Sequence, residues 1–295
     1  MPAHGIAAQE AGMKLRSLLF VPCDRAERMV KAQQSQADGV ILDLEDSVAP
    51  ERKVAARASL ASFLAHEERL KPTFVRINPL ASGLTLADLA VLVEHRPDGL
   101  ILPKACGRRS IDQLDALLDE LGLPDIPILP IATETPTAMF ELGTYQEVAH
   151  RLVGLTWGAE DLSAAMGATA AREADGQFTA PYQVARSLAL FAAHAAGVIA
   201  IETVHPDFRD MDNLARVAKR AARDGFSGML AIHPAQLETI NAAFSPSEAE
   251  MTRARAIVAA FAAHPQAGAL SLDGEMIDAP HLKQARLLLG RFARD

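Results

Sequence analysis

Eight short apolar, β-branched runs recur along this chain about 30 residues apart, and each closes in polar or charged side chains. They are SLLFVP (17–22), GVILDLED (39–46), TFVRIN (73–78), GLILPK (99–104), IPILPIATE (126–134), LVGLTWGAED (152–161), GVIAIETV (197–204) and GMLAIHP (228–234). Near-continuous apolarity marks strands buried on both faces, the situation in a parallel sheet wrapped by helices. The intervening segments RAERMVKAQQS, LADLAVLVEH, IDQLDALLDEL, AMFELGTYQEVAH, PYQVARSLALFAAHAAG and DNLARVAKRAARDG place apolar residues at three- and four-residue spacing, as amphipathic helices do. Thr135-Pro136 reads as an N-cap with proline at the first helical position, and Gly197 and Gly225 read as C-terminal stops. Thirty residues make one βα unit, so eight in a row predict a (β/α)8 TIM barrel. The competitor is an open doubly wound sheet, which usually holds about five or six strands. VPCDRAER, after the first run, lacks the glycines of a dinucleotide fingerprint.

A barrel of this type needs ~250 residues, and the chain has 295. Residues 1–14 read as a disordered leader, with neither the basic start nor the apolar stretch of a signal peptide. Residues 15–264 form the barrel, and 265–295 form a C-terminal helical extension that opens on a Gly/Ala-rich linker. The apolar face of its helix (Leu282, Ala285, Leu288, Leu289) must pack on its own barrel or on a neighbour. No apolar run approaches the roughly 20 residues of a membrane span. A net charge of −8 and a single tryptophan argue against duplex nucleic acid as a partner. Two cysteines, Cys23 and Cys106, exclude a disulfide framework and point to a reducing cytoplasm.

Active sites of such barrels form at the C-terminal ends of the strands. There the sequence places Asp43, Glu45 and Asp46, then Arg76 and Asn78, Lys104, Glu134, Glu160 and Asp161, Glu202, and finally His233. Glu134 and Asp161, from adjacent strands, would converge with little to neutralise them, which suits a hard divalent ion such as Mg2+. Zinc is disfavoured, because the chain has no His-Cys cluster and no HExxH spacing. Arg76 and Lys104 would supply fixed positive charge for an anion or an enolate.

Each residue also has a plainer reading. A strand-end carboxylate serves about as often as a cap or ion-pair partner, and Lys104 would pair equally well with Asp98 or Asp125. Asp46 would cap the following turn and Glu160 would point outward. His233 reads as a structural histidine, Trp157 as core, and the cysteines as inert. The unusual feature is the set: acids on the second, fifth and sixth strands with an arginine on the third.

RSLLFVP, GVILDLEDSV, FVRIN, LILPK, ATETPTAM, WGAEDLSAAMG, PYQVARS, IHPAQ and DGEMIDAPHLKQA, in this order from about residue 15 to 290, together resemble the HpcH/HpaI aldolase/citrate lyase β-subunit family. Within it the chain looks most like the free-standing malyl-CoA, β-methylmalyl-CoA and citramalyl-CoA lyases. The resemblance implies a TIM barrel assembled as homotrimers or hexamers, with Mg2+ held by Glu134 of ATETP and Asp161 of GAEDLS. It implies that Arg76 contacts the thioester carbonyl and the acid substrate, and that Asp278 of MIDAP reaches an adjacent subunit's active site as acid/base. Phosphate contacts to an acyl-CoA thioester would come from Arg28 and Lys31, with Asp43 and Glu45 positioning metal waters or Arg76.

The implied reaction is Mg2+-dependent cleavage, or formation, of a 3-hydroxyacyl-CoA to acetyl-CoA or propionyl-CoA plus a 2-oxo acid. A malyl-CoA thioesterase, or a β subunit acting on a carrier-protein thioester, are the alternatives. Two departures stand out. Family members commonly show VPG where this chain has Val21-Pro22-Cys23, and a lysine where it has Met229. The first falls in the loop that would meet CoA, and the second bears on substrate identity.

Overall fold

The computed structural model describes residues 14–65 and 69–292. Apart from Lys14, the leader expected at 1–14 lies outside the described residues. Eight parallel strands, β1 (Ser17–Pro22), β2 (Gly39–Asp43), β3 (Thr73–Arg76), β4 (Gly99–Leu102), β5 (Ile128–Pro130), β6 (Gly154–Thr156), β7 (Ile199–Glu202) and β8 (Gly228–Ala231), pair in the order β5-β4-β3-β2-β1-β8-β7-β6. Parallel bridges Ile128↔Leu152 and Ile131↔Thr156 join the two ends, so the sheet closes into a (β/α)8 barrel and the open-sheet alternative falls away.

Helices α1 (Ala26–Gln33), α2 (Lys53–Leu64), α3 (Thr85–Ala90), α4 (Gly107–Glu120), α5 (Ala159–Met166), α6 (Ala180–Ala196), α7 (Met211–Asp224) and α8 (Leu237–Ala243) follow the strands, with α5 and α6 both after β6 and only 3-10 turns after β5. The strands are apolar throughout because alternate side chains enter two different cores. Leu18, Ile41, Phe74, Ile101, Leu129 and Leu230 fill the barrel interior. Leu19, Val40, Leu42, Val75, Leu100 and Met229 face the helix layer and meet Met29, Leu60 and Ile111. Met229, where the family commonly carries lysine, is thus a packing residue between sheet and helices.

Gly197 (φ 70°) and Gly225 (φ 112°) end α6 and α7 in the left-handed conformation, as expected. The segment 138–151 departs from expectation: it forms 3-10 turns at Ala138–Phe140 and Leu142–Arg151 in place of an amphipathic α-helix. Gly143 and Thr144 interrupt it, and the Thr144 hydroxyl donates back to the Glu141 carbonyl at 2.6 Å, competing with α-helical bonding. The sixth strand is also shorter than read, so Glu160 and Asp161 lie in the first turn of α5.

A second compact unit begins at Ser245, earlier than the expected boundary at 264. Helix α9 (Glu248–Ala263) clusters with the extension because Ala254, Ile257 and Phe261 share a small core with Ile277 and Ala285. Leu282, Leu288 and Leu289 pack against that core within the second unit, where the sequence pointed to the barrel or a neighbour as the partner. Ser247 and Glu250 form a reciprocal capping box at the start of α9. The expected linker contains an antiparallel hairpin, β9 (Ala269–Leu272) and β10 (Glu275–Asp278), followed by α10 (Ala279–Phe292). Its two-residue turn is Asp273-Gly274, both at positive φ, a strong hairpin signal that the compositional reading passed over.

Gly228 opens β8 where a Cβ would sit 1.9 Å from the Leu15 carbonyl oxygen, so backbone would have to move. Gly228→Ala should therefore lower stability by about 1–3 kcal/mol or more. An unchanged midpoint in urea denaturation would refute this account of the barrel seam.

Candidate active site at the barrel mouth

The parallel register sets Asp43, the last residue of β2, beside Arg76, the last residue of β3. Their side chains form a two-point pair: Arg76 Nε and Nη2 donate to Asp43 Oδ1 and Oδ2, each at 2.7 Å. Asp43 is fully buried and also accepts the backbone N–H groups of Glu45 and Ser47, at 2.9 and 3.1 Å. Burial opposes its ionisation, but the guanidinium beside it holds the carboxyl below the ordinary aspartate range. Arg76 Cζ lies 4.7 Å from the Phe20 ring centroid, above the barrel core. Nη1 stands 2.9 Å from Glu45 Oε2, an ion pair without aligned hydrogen-bond geometry, and Asp46 is a further 3.8 Å contact. Of the five guanidinium N–H groups, Asp43 takes two.

Lys104 grips the remaining carboxylates with both ends. Its backbone N–H donates to Glu134 Oε2, and its ammonium lies 2.9 Å from Glu45 Oε1 and 3.2 Å from Asp161 Oδ1. The plainer pairing with Asp98 or Asp125 does not form; Asp98 accepts from Thr73 and contacts Arg69, and Asp125 contacts Arg151. Lys104 has φ 52°, a left-handed conformation that costs a side-chain-bearing residue about 1–3 kcal/mol and turns up at functional sites.

Burial, with Asp161 and Glu45 adding to it, pushes the Glu134 carboxyl up to about 8, against the Lys104 N–H. Burial likewise raises Glu45. The Glu134 stem occupies space left by Gly158, where a Cβ would come within 2.8 Å of Glu134 Cγ.

Several of these residues border a cavity of about 910 Å3, a size suited to a cofactor-sized ligand. Arg76, Glu134, Asp161 and Asp43 line it, and Arg28 and Lys31 line it too from exposed positions on α1. Glu160 also lines it, contrary to the outward direction expected. Glu45 and Lys104 stand behind these residues and touch them without lining the cavity. Glu202 belongs elsewhere: it accepts from Trp157 Nε1 and from Arg186 Nε at 2.6 Å, deep in the wall. His233 also lines the cavity; it caps the turn after β8 through Nδ1 and stacks on Phe208. Cys23 is buried, and burial pushes its thiol up, so it is no nucleophile. Asp278 lies in β10 of the second unit, its Oδ1 2.6 Å from His281 Nδ1.

The supports missed in the sequence come from helices. Lys53 Nζ donates to the Leu44 and Glu45 carbonyls and to Asn78 Oδ1. Asn78 in turn donates to Asp88, which Arg57 pairs at 2.7 Å. This chain of contacts fixes the 44–46 backbone from below.

Among the described residues no group of three or more His, Cys, Asp or Glu is arranged as a metal cage. Mg2+ needs only one or two carboxylates and leaves its other positions to waters and substrate. The Glu134–Asp161 pair meets that requirement by donor type and number.

The sequence profile of the HpcH/HpaI aldolase/citrate lyase family matches residues 16–234. The chain belongs to this family. A citrate lyase subunit beta-like protein of Mycobacterium tuberculosis is 36% identical over 273 residues, 92% of this chain and 94% of that protein. A (3S)-malyl-CoA thioesterase of Cereibacter sphaeroides is 32% identical over 284 residues, 94% of each chain. The crystal structure of CitE from M. tuberculosis, in complex with magnesium, acetoacetate and coenzyme A, superposes with a TM-score of 0.80 at 35% identity, covering 96% of this chain and all of that one. The family is one of carbon–carbon lyases, and that neighbour was crystallised with magnesium.

The raised Glu134 value has a signed consequence. Without metal, Glu134 favours the fold fully only below its unfolded value, and this contribution is lost as pH rises toward about 8. Metal-free protein should thus lose thermal stability between about pH 5 and 8, and Glu134→Gln should flatten that slope. Mg2+ should raise the melting temperature more at pH 8 than at pH 5.5, where a proton competes; equal shifts at both would refute it.

Proposed function

We propose that this protein is a Mg2+-dependent acyl-CoA lyase that cleaves, or forms, a 3-hydroxyacyl-CoA of the malyl-CoA, β-methylmalyl-CoA or citramalyl-CoA type, giving acetyl-CoA or propionyl-CoA and a 2-oxo acid. The observation that carries the reading is one cavity bordered by a pinned arginine, a carboxylate pair fit for Mg2+, and a basic edge at Arg28 and Lys31. Mg2+ supplies Lewis acidity toward substrate oxygens when bound.

The chain's own groups do the rest. Asp43 holds Arg76 so that its unused N–H groups meet the thioester oxygen, where negative charge grows as the C–C bond breaks. Glu45 and Lys104 keep Arg76 and Asp161 in place from behind. Arg28 and Lys31 neutralise CoA phosphates at the rim. Apolar walls from Phe20, Ile131 and Leu230 exclude water from the enolate. Asp278, supplied by an adjacent copy in the assembly the resemblance implies, protonates the enolate carbon, or removes the proton in the condensation direction.

The deciding experiment offers malyl-CoA, β-methylmalyl-CoA and citramalyl-CoA with Mg2+ and identifies both products. An acyl-CoA plus glyoxylate or pyruvate is expected. Free CoA thiol with an intact hydroxy acid would replace cleavage by hydrolysis, and dependence on a carrier-protein thioester would replace the CoA reading.

Glu134→Ala or Asp161→Ala should abolish turnover, whereas full activity in EDTA would sink the metal assignment. Asp278→Asn should keep substrate affinity and lose about 10²–10⁴-fold in kcat. Mixing inactive Glu134→Gln and Asp278→Asn proteins under subunit exchange should restore part of the activity. No recovery from assemblies proven mixed would place Asp278 outside a neighbour's site.

A further inference from the structure

Away from the mouth, a second small cavity lies between the segment 172–178 and helices α6 and α7, and it shares no lining residue with the first. Its wall carries four arginines, Arg172, Arg186, Arg216 and Arg220. The carboxylates in ion-pair contact with them are two: Glu202 on Arg186 at 2.6 Å, and Asp224 on Arg186 at 2.9 Å and Arg220 at 3.7 Å. Arg172 and Arg216 have no ion-pair partner among the described residues. At contact range this leaves an excess of positive charge in the recess, with Asp175 and Glu160 adding negative charge farther off.

The recess is built. Residues Arg172 and Phe178 form an antiparallel bridge, Glu173 N–H donates to the Gln177 carbonyl at 2.7 Å, and Gly176 N–H to the Glu173 carbonyl at 2.9 Å. Arg216 ties α7 to this loop through the Asp175 carbonyl and is itself oriented by Asn213 Oδ1 at 2.7 Å. The Arg172 guanidinium lies 3.8 Å from the Phe178 ring centroid, and its Nε is buried with no hydrogen-bond partner. The same guanidinium donates from Nη1 to the Gly176 carbonyl at 3.3 Å, so the protein satisfies it only in part. The cavity measures about 40 Å3. At the ~10–15 Å3 that one water requires, it has space for about three waters or one small oxyanion.

We propose that this recess is a phosphate-type oxyanion site, with Arg172, Arg216 and Arg220 as its ligands and Arg186 as a second-rank charge already committed to Glu202 and Asp224. The occupant is a free phosphate ion or a phosphate group of a larger ligand. Arginine suits either source, because its planar fork matches oxyanion geometry and stays charged when partly desolvated.

Inorganic phosphate is the probe, titrated into the full-length protein at ionic strength held constant with chloride and followed by calorimetry and phosphorus NMR line width. Saturable binding is expected, weakened at least tenfold in the Arg172→Gln/Arg220→Gln double variant. If circular dichroism shows that variant misfolded, Arg172→Lys, which keeps the charge and removes the buried Nε–H, is held to the same tenfold criterion. Absence of saturable binding, or equal binding by the variants, overturns the proposal. So does phosphate binding that depends on Arg28 and Lys31 instead, which would put the ion at the mouth. Repeating the titration with saturating CoA separates the sources. Undiminished phosphate binding supports a free ion; displacement, with CoA affinity itself dependent on Arg172 and Arg220, supports a CoA phosphate.

Discussion

The buried pair between Asp43 and Arg76 is the constraint on which the mouth depends. It closes the barrel core at its C-terminal end: below it Phe20, Ile41 and Phe74 are packed apolar, and above it the wall is ionic. A buried carboxylate would normally be costly, and here a two-point contact and two backbone N–H groups offset the desolvation. The pair thereby fixes two things at once. It sets the plane of a guanidinium whose other edge is left for a ligand, and it holds the turn that brings Glu45 back toward Lys104. Strand register decides this, because a slip of one residue between β2 and β3 would turn one of the partners out toward the helices.

The second layer of charge has the opposite character. Lys104 meets three carboxylates, Glu45 and Asp161 with its ammonium and Glu134 with its backbone N–H, and Glu45 also faces Arg76. Lys104 relieves part of the repulsion and accepts a left-handed backbone to do so. Burial is the main reason the Glu134 carboxyl is raised to about 8, and the negative charge of Asp161 and Glu45 adds to it. Arg76 is firmly held by a two-point contact, whereas Glu134 is met by one backbone N–H and Asp161 by the Lys104 ammonium.

Much of this was legible in the sequence, and for a physical reason. Strands covered on both faces must be apolar along their length, so their ends are marked by the first charged residue, and in a barrel those ends are the mouth. Asp43, Arg76, Glu134 and Asp161 were readable on that basis. Lys53, Arg57 and Asp88 were not, since they reach the site from helices whose rotation only the packed structure fixes. Glu202 shows the limit of the rule: a strand-end acid by position, it is consumed in the wall by Arg186 and Trp157. Direction was equally invisible for Lys104, which stands behind the cavity, and for Glu160, which lines it. The Asp273-Gly274 turn was different, because its signal was present and a compositional label of linker hid it.

Charge, finally, is a local quantity in this protein. A net −8 describes the average surface, yet the ligand-facing groups are positive at Arg28, Lys31 and Arg76, and the recess at α6 and α7 is positive again. Screening confines exposed charges to about 8–10 Å at physiological salt, so an anion inside either cavity responds to its walls and hardly to the acidic exterior. The acidic surplus then costs an anionic substrate little in affinity, while it slows encounter at low salt and limits non-specific capture of polyanions. The same separation explains how one chain can carry a cation-demanding carboxylate pair and an arginine-lined recess without either neutralising the other: Glu202 and Asp224 saturate Arg186 in the wall, and Lys104 answers the carboxylates at the mouth.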